Sequence, residues 1–438
     1  MWCVYSTKSE PIFKIGNQWS SPRATRLCAK HRAFQNGKCE EHNISEWLKW
    51  EEMSRSVKWT KFCKNYFLGK GFCKTSANVF EIRRGFGFGL PPAERGLGNE
   101  CGRACFGFSA TITKDNKNGK IQITMEFVRD FEHVDKSDVN LAGGKGASLG
   151  EMTGVGIPIP SGFVILSTSF EKFLQETNLK TQIDSILETV NYKDIRQLEN
   201  VSEKIEALVL GAQIPKDITN QIQEFFKKLD SKYVAVRSSA TAEDGSANAW
   251  AGQLESYLNI GEENLLENIK KCWASLFTPR AIAYLFEKGL DKEKISVAVI
   301  IQKFIESEVS GVAFSVHPVT KNKTHIVIEA CLGIGVATVS GEITPDMYVV
   351  EKQSWKIMEK NINEQEKAIF PLKNGDIEWH VLTKDKGEKQ KLSDYEIVEL
   401  SKLIIKIEDY FAFPVDVEWV MENQKFLIVQ SRPITNLK

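Results

Sequence analysis

From Met125 onward the hydrophobic positions keep regular periods; before it they do not. "PVDVEWVM" alternates Val415, Val417 and Trp419 with Asp416 and Glu418, the period of two expected of a half-buried strand. "KFLIVQSRP" answers it after a turn at Glu422–Gln424, so a hairpin is predicted there. Helical spacing runs through Ser169–Glu176, Asp194–Leu210, Thr219–Leu229, Glu263–Phe277, Pro279–Lys288 and Asp394–Phe411. "GASLGEMTGVG" reads as a short helix ended by glycine, and "IPIPSGFVIL" as a proline-bounded turn and strand. "KYVAVRSSA" is an apolar strand ending at Arg237; "ISVAVIIQKF", "EVSGVAFSV", "THIVIEA", "DMYVVEK" and "WKIME" supply further strands. Strands and helices in blocks predict an α+β fold of two or three lobes.

The first 124 residues resist such a reading. Only "SEWLKWEEMSRSVKWTKFCKNY" looks helical, and "RRGFGFGLPPAERGLGNECG" is a loop composition. The net charge of zero conceals a division: 21 Lys and Arg stand against 10 Asp and Glu up to Thr124, and 36 against 47 after it. Seven of the nine cysteines also fall in the leader. Cys28, His31, Cys39 and His42 are zinc-ligand types, but the gap between the pairs is shorter than common zinc modules allow. The basic leader lacks any RNA- or DNA-binding motif, so no nucleic-acid partner is expected. The expectation is that residues 1–124 are a poorly structured leader or precede the true start. No apolar run approaches a membrane span and no secretory signal is present, which predicts a cytoplasmic protein without membrane attachment.

Chemistry concentrates in four places. "NLAGGKGASLGEM" brings a glycine-rich backbone and Lys145 to a helix start, where charge and helix dipole both attract phosphate. It is not a Walker A loop, because Gly146 rather than Ser or Thr follows the lysine. Arg237 precedes a run of small and hydroxyl residues up to Gly252, suited to clamping phosphates but also to an ordinary surface loop. Gln302–Ile305 interrupts two strands and can offer backbone groups to a purine edge. In the closing hairpin, Asp416 and Glu418 share one strand face and Gln430 and Arg432 share another. With an odd-length connecting loop the four meet, as a platform for Mg²⁺ and polyphosphate or as a solvated ion-pair face. Together these elements point to a nucleoside triphosphate site.

The same motifs, in order, carry a family resemblance. "NLAGGKGASLGEM", "IPIPSGFVI", "VRSSATAED", "AWAGQLESYLN", "VIIQKFIESEVSGVAFSVHP", "VSGEITPDMYVV" and "PVDVEWV…LIVQSRPIT" resemble the nucleotide-binding domain of phosphoenolpyruvate synthase, pyruvate phosphate dikinase and rifampin phosphotransferase. The resemblance implies an ATP-grasp-like multi-lobe fold over residues 125–438, with lobes of roughly 125–325 and 326–438. It implies that Lys145 and Arg237 contact ATP phosphates, with Gly252 and Ser256 in the loop covering them. Gln302, Lys303 and Ile305 would lie by the adenine, Glu418 and Gln430 would hold Mg²⁺, and Arg432 would bind phosphate. Lys145, Arg237, Glu418 and Arg432 would be catalytic. The implied activity splits ATP to AMP and passes the β-phosphoryl to a histidine carrier domain, here a partner in trans, that serves pyruvate or another acceptor. The alternatives are the nucleotide half of a rifampin-type phosphotransferase and a catalytically idle ATP-binding remnant. Val336 departs from the family's usual Glu, a change expected to impair turnover, and "EDGSANAW" departs from its usual loop.

Overall fold

The computed structural model describes residues 125–241, 255–287, 296–339, 341–372 and 374–435, with a few short strand pairs before them. The chain divides into two units, Met1–Glu126 and Phe127–Lys438. The leader's expected helix and zinc-ligand side chains, as well as Gly252, lie outside the described residues.

The second unit holds two antiparallel sheets. The first contains β1 (Val128–Asp130), β2 (Gly162–Ile165), β3 (Val234–Ala240), β4 (Ser256–Ile260) and β5 (Val297–Lys303), in the order β4-β3-β5-β2-β1. The second contains β6 (Val309–Phe314), β7 (His325–Leu332), β8 (Asp346–Glu351) and β9 (Ile357–Asn361). Two last strands, β12 (Val415–Glu422) and β13 (Lys425–Pro433), complete it in the order β9-β8-β7-β6-β12-β13. A small hairpin, β10 (Lys367–Pro371) and β11 (Ile377–Val381), stands apart from both. Its connection is fastened to β4 by Asn259, whose side-chain amide donates to the carbonyls of Leu372 (3.1 Å) and Asp376 (2.8 Å).

The change of sheet falls at residues 304–308. β6 therefore belongs with the second sheet, some twenty residues before the 325/326 division expected from sequence. Arg237 likewise lies in the middle of β3 rather than at its end, because Ser238, Ser239 and Ala240 continue the ladder against Val299, Ala298 and Val297. Small hydroxyl residues look like a loop in sequence, yet both serines are fully buried here.

Helix α1 (Val139–Gly154) lies between the sheets, packed on β3 and β5 of the first and β13 of the second. Leu149 and Met152 on α1 join Val164 and Ile300 of the first sheet to Ile326, Tyr348 and Trp419 of the second in one continuous core. The far face of the first sheet is covered by α2 (Ser167–Glu176) and α6 (Glu262–Ala274), and α5 (Lys216–Leu229) lies against β1 and β2. The intervening helices are α3 (Leu179–Glu188) and α4 (Ile195–Gly211), with α7 (Pro279–Glu287) after α6. β5, buried from Val297 to Gln302, is covered on both sides. After the short α8 (Val336–Val339) and α9 (Lys384–Gly387), α10 (Asp394–Phe411) backs the second sheet. It opens with a capping box between Ser393 and Glu396 and buries Ile397, Leu400, Ile404 and Ile407 at helical spacing. Among the described residues no helix is long and apolar enough to cross a membrane.

One buried ion pair fixes the "ITPDMYVV" segment. Lys391 Nζ lies 3.0 Å from Asp346 Oδ1, with both side chains at most 1% exposed. Asp346 also accepts from Tyr348 Oη (2.7 Å) and from the backbone N–H groups of Asn363 (3.0 Å) and Lys391 (2.9 Å). Lys391 Nζ donates in turn to the carbonyls of Asn363 (2.6 Å) and Gly387 (2.8 Å). A buried pair with its remaining donors and acceptors occupied is the arrangement that survives desolvation.

Candidate functional site

The glycine-rich motif is not one smooth helix. Gly143, at φ 68° and ψ 170°, interrupts α1 so that the regular turns begin immediately before Lys145. A Cβ at Gly143 would lie 2.2 Å from Ser239 Oγ and 2.5 Å from the Ser239 carbonyl oxygen. Glycine is needed here both for the left-handed φ and for the close approach of α1 to β3. Beyond the break, Gly146 N donates to Ser239 Oγ (3.3 Å) and Lys145 Nζ to the Ser238 carbonyl (3.3 Å). One turn on, Ser148 Oγ donates to the Ser431 carbonyl of β13 (3.2 Å). The helix that bears Lys145 is thus pinned to both sheets. Gly143→Ala is expected to cost about 1–3 kcal/mol of stability, read by urea unfolding; an unchanged midpoint would show that α1 can shift freely.

Arg237 crosses from the first sheet to the closing hairpin. Its Nη2 donates to Glu418 Oε2 and to Gln430 Oε1, each at 2.8 Å, and its Nη1 donates to the Val429 carbonyl at 2.8 Å. Gln430 Nε2 donates to the other Glu418 oxygen at 3.1 Å. On the neighbouring pair of positions, Arg432 Nε and Nη2 both reach Asp416 Oδ2, at 2.8 and 2.7 Å.

The hairpin achieves this convergence by a route the sequence does not display. Its turn has two residues, Asn423 and Gln424, with φ of 52° and 59°, the left-handed values of the tightest hairpin turns. A two-residue turn alone would place Glu418 opposite Val429. A bulge between Glu418 and Trp419 extrudes Val429, and the register becomes Glu418↔Gln430 and Asp416↔Arg432. All four polar side chains then share one face, and the extruded residue turns its carbonyl to Arg237.

The same face carries a further carboxylate, outside the residues expected from sequence. Glu329 on β7 pairs with Val312 on β6, and Val312 pairs with Glu418 on β12, so all three residues stand in one row. Burial, and next the negative charge of Asp416, push the Glu329 carboxyl above its ordinary range. Asp416 is also raised, by burial first, with Arg432 opposing and Glu418 adding to the shift. Neutral forms are favoured in the fold, so these groups help stability below the unfolded carboxylate range and cease to do so as pH rises through their folded pKa values. Glu329→Gln is accordingly expected to raise the thermal midpoint at pH 7, with the gain shrinking as pH falls towards the ordinary carboxylate range. A midpoint lowered at pH 7 would contradict that sign. The signal in sequence was a lone acid in "IVIEA", a strand otherwise buried at Ile326, Val327 and Ile328.

The geometry can be set beside known proteins. The model of the pyruvate phosphate dikinase AMP/ATP-binding domain matches residues 139–438. The chain belongs to that family. A probable phosphoenolpyruvate synthase of Archaeoglobus fulgidus is 45% identical over 311 residues, 70% of this chain and 41% of that protein. Another, of Methanocaldococcus jannaschii, is 42% identical over 322 residues, 72% of this chain and 27% of its own length. A rifampicin phosphotransferase of Bacillus cereus is 36% identical over 314 residues, 71% of this chain and 36% of that protein. The chain therefore spans less than half the length of each of these relatives. A D-alanine–D-alanine ligase of Helicobacter pylori aligns with a TM-score of 0.22 at 13% identity over 54% of this chain and 53% of its own, a likeness too low to argue from.

As a pyruvate phosphate dikinase-type AMP/ATP-binding domain, the unit has a mixed α+β fold. Of the other expected site residues, Ser256 is on β4 directly opposite Arg237. Gln302 and Lys303 end β5, and Ile305 lies in the connection between the sheets. Gln302 is buried, with Nε2 donating to the Pro160 carbonyl at 3.5 Å, whereas Lys303 is exposed. The connection's backbone is tied down by Lys303 N to Ser161 O (2.8 Å) and Phe304 N to Tyr233 O (3.1 Å). Val336 begins α8 with 41% exposure. The structure thus joins Arg237, Glu418, Gln430, Asp416 and Arg432 in one cluster, with Lys145 bonded one residue beyond Arg237, and places Gln302–Ile305 at the link between the sheets.

Proposed function

We propose that this domain binds Mg-ATP between its two sheets and splits it to AMP, passing the β-phosphoryl to a histidine on a carrier domain in trans. The observation that carries the reading is the convergence of Arg237, from the first sheet, on Glu418 and Gln430 of the second. Lys145, Arg237 and Arg432 supply the positive charge for the phosphates, the two arginines through planar forks that suit phosphate oxygens. Adenine lies by Gln302, Lys303 and Ile305, and Ser256, which is on β4 opposite Arg237 rather than in a loop, adjoins the phosphates.

The metal reading rests on the donor set. Glu418 Oε2 and Gln430 Oε1 are hard oxygens that converge on a single nitrogen of Arg237, each at 2.8 Å. Among the described residues no group of three or more His, Cys, Asp and Glu is arranged to hold a metal. The Glu418 and Gln430 pair suits Mg²⁺, which takes one or two protein ligands and completes its octahedron with phosphate oxygens and water. When bound, Mg²⁺ neutralises charge that develops on the phosphates. The chain's own residues hold the polyphosphate in line and screen its charge, because phosphoryl transfer needs positioning and electrostatics more than covalent help.

The acceptor beyond the histidine is pyruvate, as in a phosphoenolpyruvate synthase; the rifampicin phosphotransferase relative favours a drug hydroxyl as the second reading. The full chain should be supplied with Mg-ATP and a separately expressed histidine domain of each kind. AMP and phosphohistidine are the expected products. ATP left intact with both domains, despite measurable binding, would instead identify a catalytically idle domain, the outcome that Val336 in place of the family's Glu makes worth testing.

A further inference from the structure

Both short contacts of Arg237 Nη2 go to the two oxygens assigned above to the metal, Glu418 Oε2 and Gln430 Oε1, at 2.8 Å each. Nη1 is fixed at 2.8 Å by the Val429 carbonyl, which the bulge aims at it. The guanidinium therefore fills a three-oxygen cradle built by adjacent positions of β12 and β13. The Arg237 and Glu418 side chains are only 12% and 26% exposed, so water does little to weaken the pair. Asp416, the other carboxylate of this face on β12, is already held by Arg432. Glu329, from β7, is shifted towards its neutral form by burial.

We infer that Arg237, held by Glu418 and Gln430, occupies the metal's place, and that a divalent cation and Arg237 exclude one another from these two side chains until ATP phosphates draw the arginine away. The inference rests on the phosphate and metal roles proposed above. Two oxygens that already hold a guanidinium nitrogen cannot also approach Mg²⁺ at about 2.1 Å unless the two cations come within a few ångströms, where they repel strongly. A polyphosphate removes the conflict, because it offers Arg237 a bidentate anionic partner and brings negative charge to the metal. Metal and nucleotide then bind as a coupled unit, because the phosphates draw Arg237 out of the place the metal needs. The site refuses a lone divalent cation and accepts the metal–nucleotide complex.

The test is a titration of the full chain with Mn²⁺ alone, free Mn²⁺ being read by electron paramagnetic resonance, followed by Mg-ADP binding by calorimetry. Arg237→Gln is expected to bind Mn²⁺ roughly ten-fold or more tightly than the wild type, about 1.4 kcal/mol, because Glu418 loses its internal cation. Adding Glu418→Gln to that variant should abolish the gain. Arg237→Lys, which keeps a positive charge beside Glu418, should stay near the wild type, so that a general loosening of the fold is not mistaken for metal binding. Unchanged or weaker Mn²⁺ binding by Arg237→Gln overturns the exclusion; if that variant also loses Mg-ADP, the proposed phosphate role of Arg237 survives on its own. Tighter Mn²⁺ with unaltered Mg-ADP binding upholds the mutual exclusion but overturns the release of Arg237 by phosphates.

Discussion

Glu418→Gln is expected to lower AMP formation by about 10²–10³-fold while leaving the fold intact. The substitution keeps the size of the side chain and an oxygen for Arg237, and removes only the negative charge. Fixed charges in a partly water-excluded site that act on developing phosphate charge are worth about that much. Gln430, whose amide donates to Glu418 Oε1 at 3.1 Å, retains an acceptor of similar shape, so the hairpin should keep its register. AMP release measured with a histidine domain present checks the expectation, with thermal unfolding as the control for folding. Undiminished AMP formation would remove Glu418 from the chemistry, and the same result for Arg237→Ala would dismantle the whole assignment.

The largest effect on stability is expected away from the site. Lys391→Met leaves Asp346 charged in a position that is fully buried. Its three other donors, from Tyr348, Asn363 and Lys391 N–H, cannot supply the missing charge. Two carbonyls, of Asn363 and Gly387, lose their common donor at the same time. Stranding one partner of a buried pair costs about 3–5 kcal/mol. For a unit of this size that is a fall of roughly 5–8 °C in thermal midpoint. A change of only a degree or two would mean that the segment around Asp346 can open to water at little cost.

How far these features are legible in sequence depends on which force sets them. α10 and β12 could be read because burial alone decides them: Ile397, Leu400, Ile404 and Ile407 line one helix face, and Val415, Val417, Trp419 and Met421 one strand face. α3 shows no legible period because only Leu179 and Ile183 are buried in it. β11 was missed for a related reason, since it is mostly exposed and the pairing rests on backbone bonds. β4, in which only Asn259 is buried, shows only against β3, and the second half of β3, small by composition, shows only against β5. The site residues were accessible by type and motif, but their arrangement was not. The bulge at Val429 depends on register, which cannot be read from one strand at a time. The row that brings Glu329 to the site face likewise needs the order of three strands.

We propose that Lys145 and Arg237 on one side, and Glu418, Gln430 and Arg432 on the other, hold one nucleotide between the sheets. Calorimetric titration of the full chain with a non-hydrolysable ATP analogue and Mg²⁺ tests it directly. One binding event per chain is expected, weakened roughly ten-fold or more by Lys145→Ala and by Arg432→Ala, residues on opposite sides of the site. Equal affinity in the wild type and both variants would contradict it.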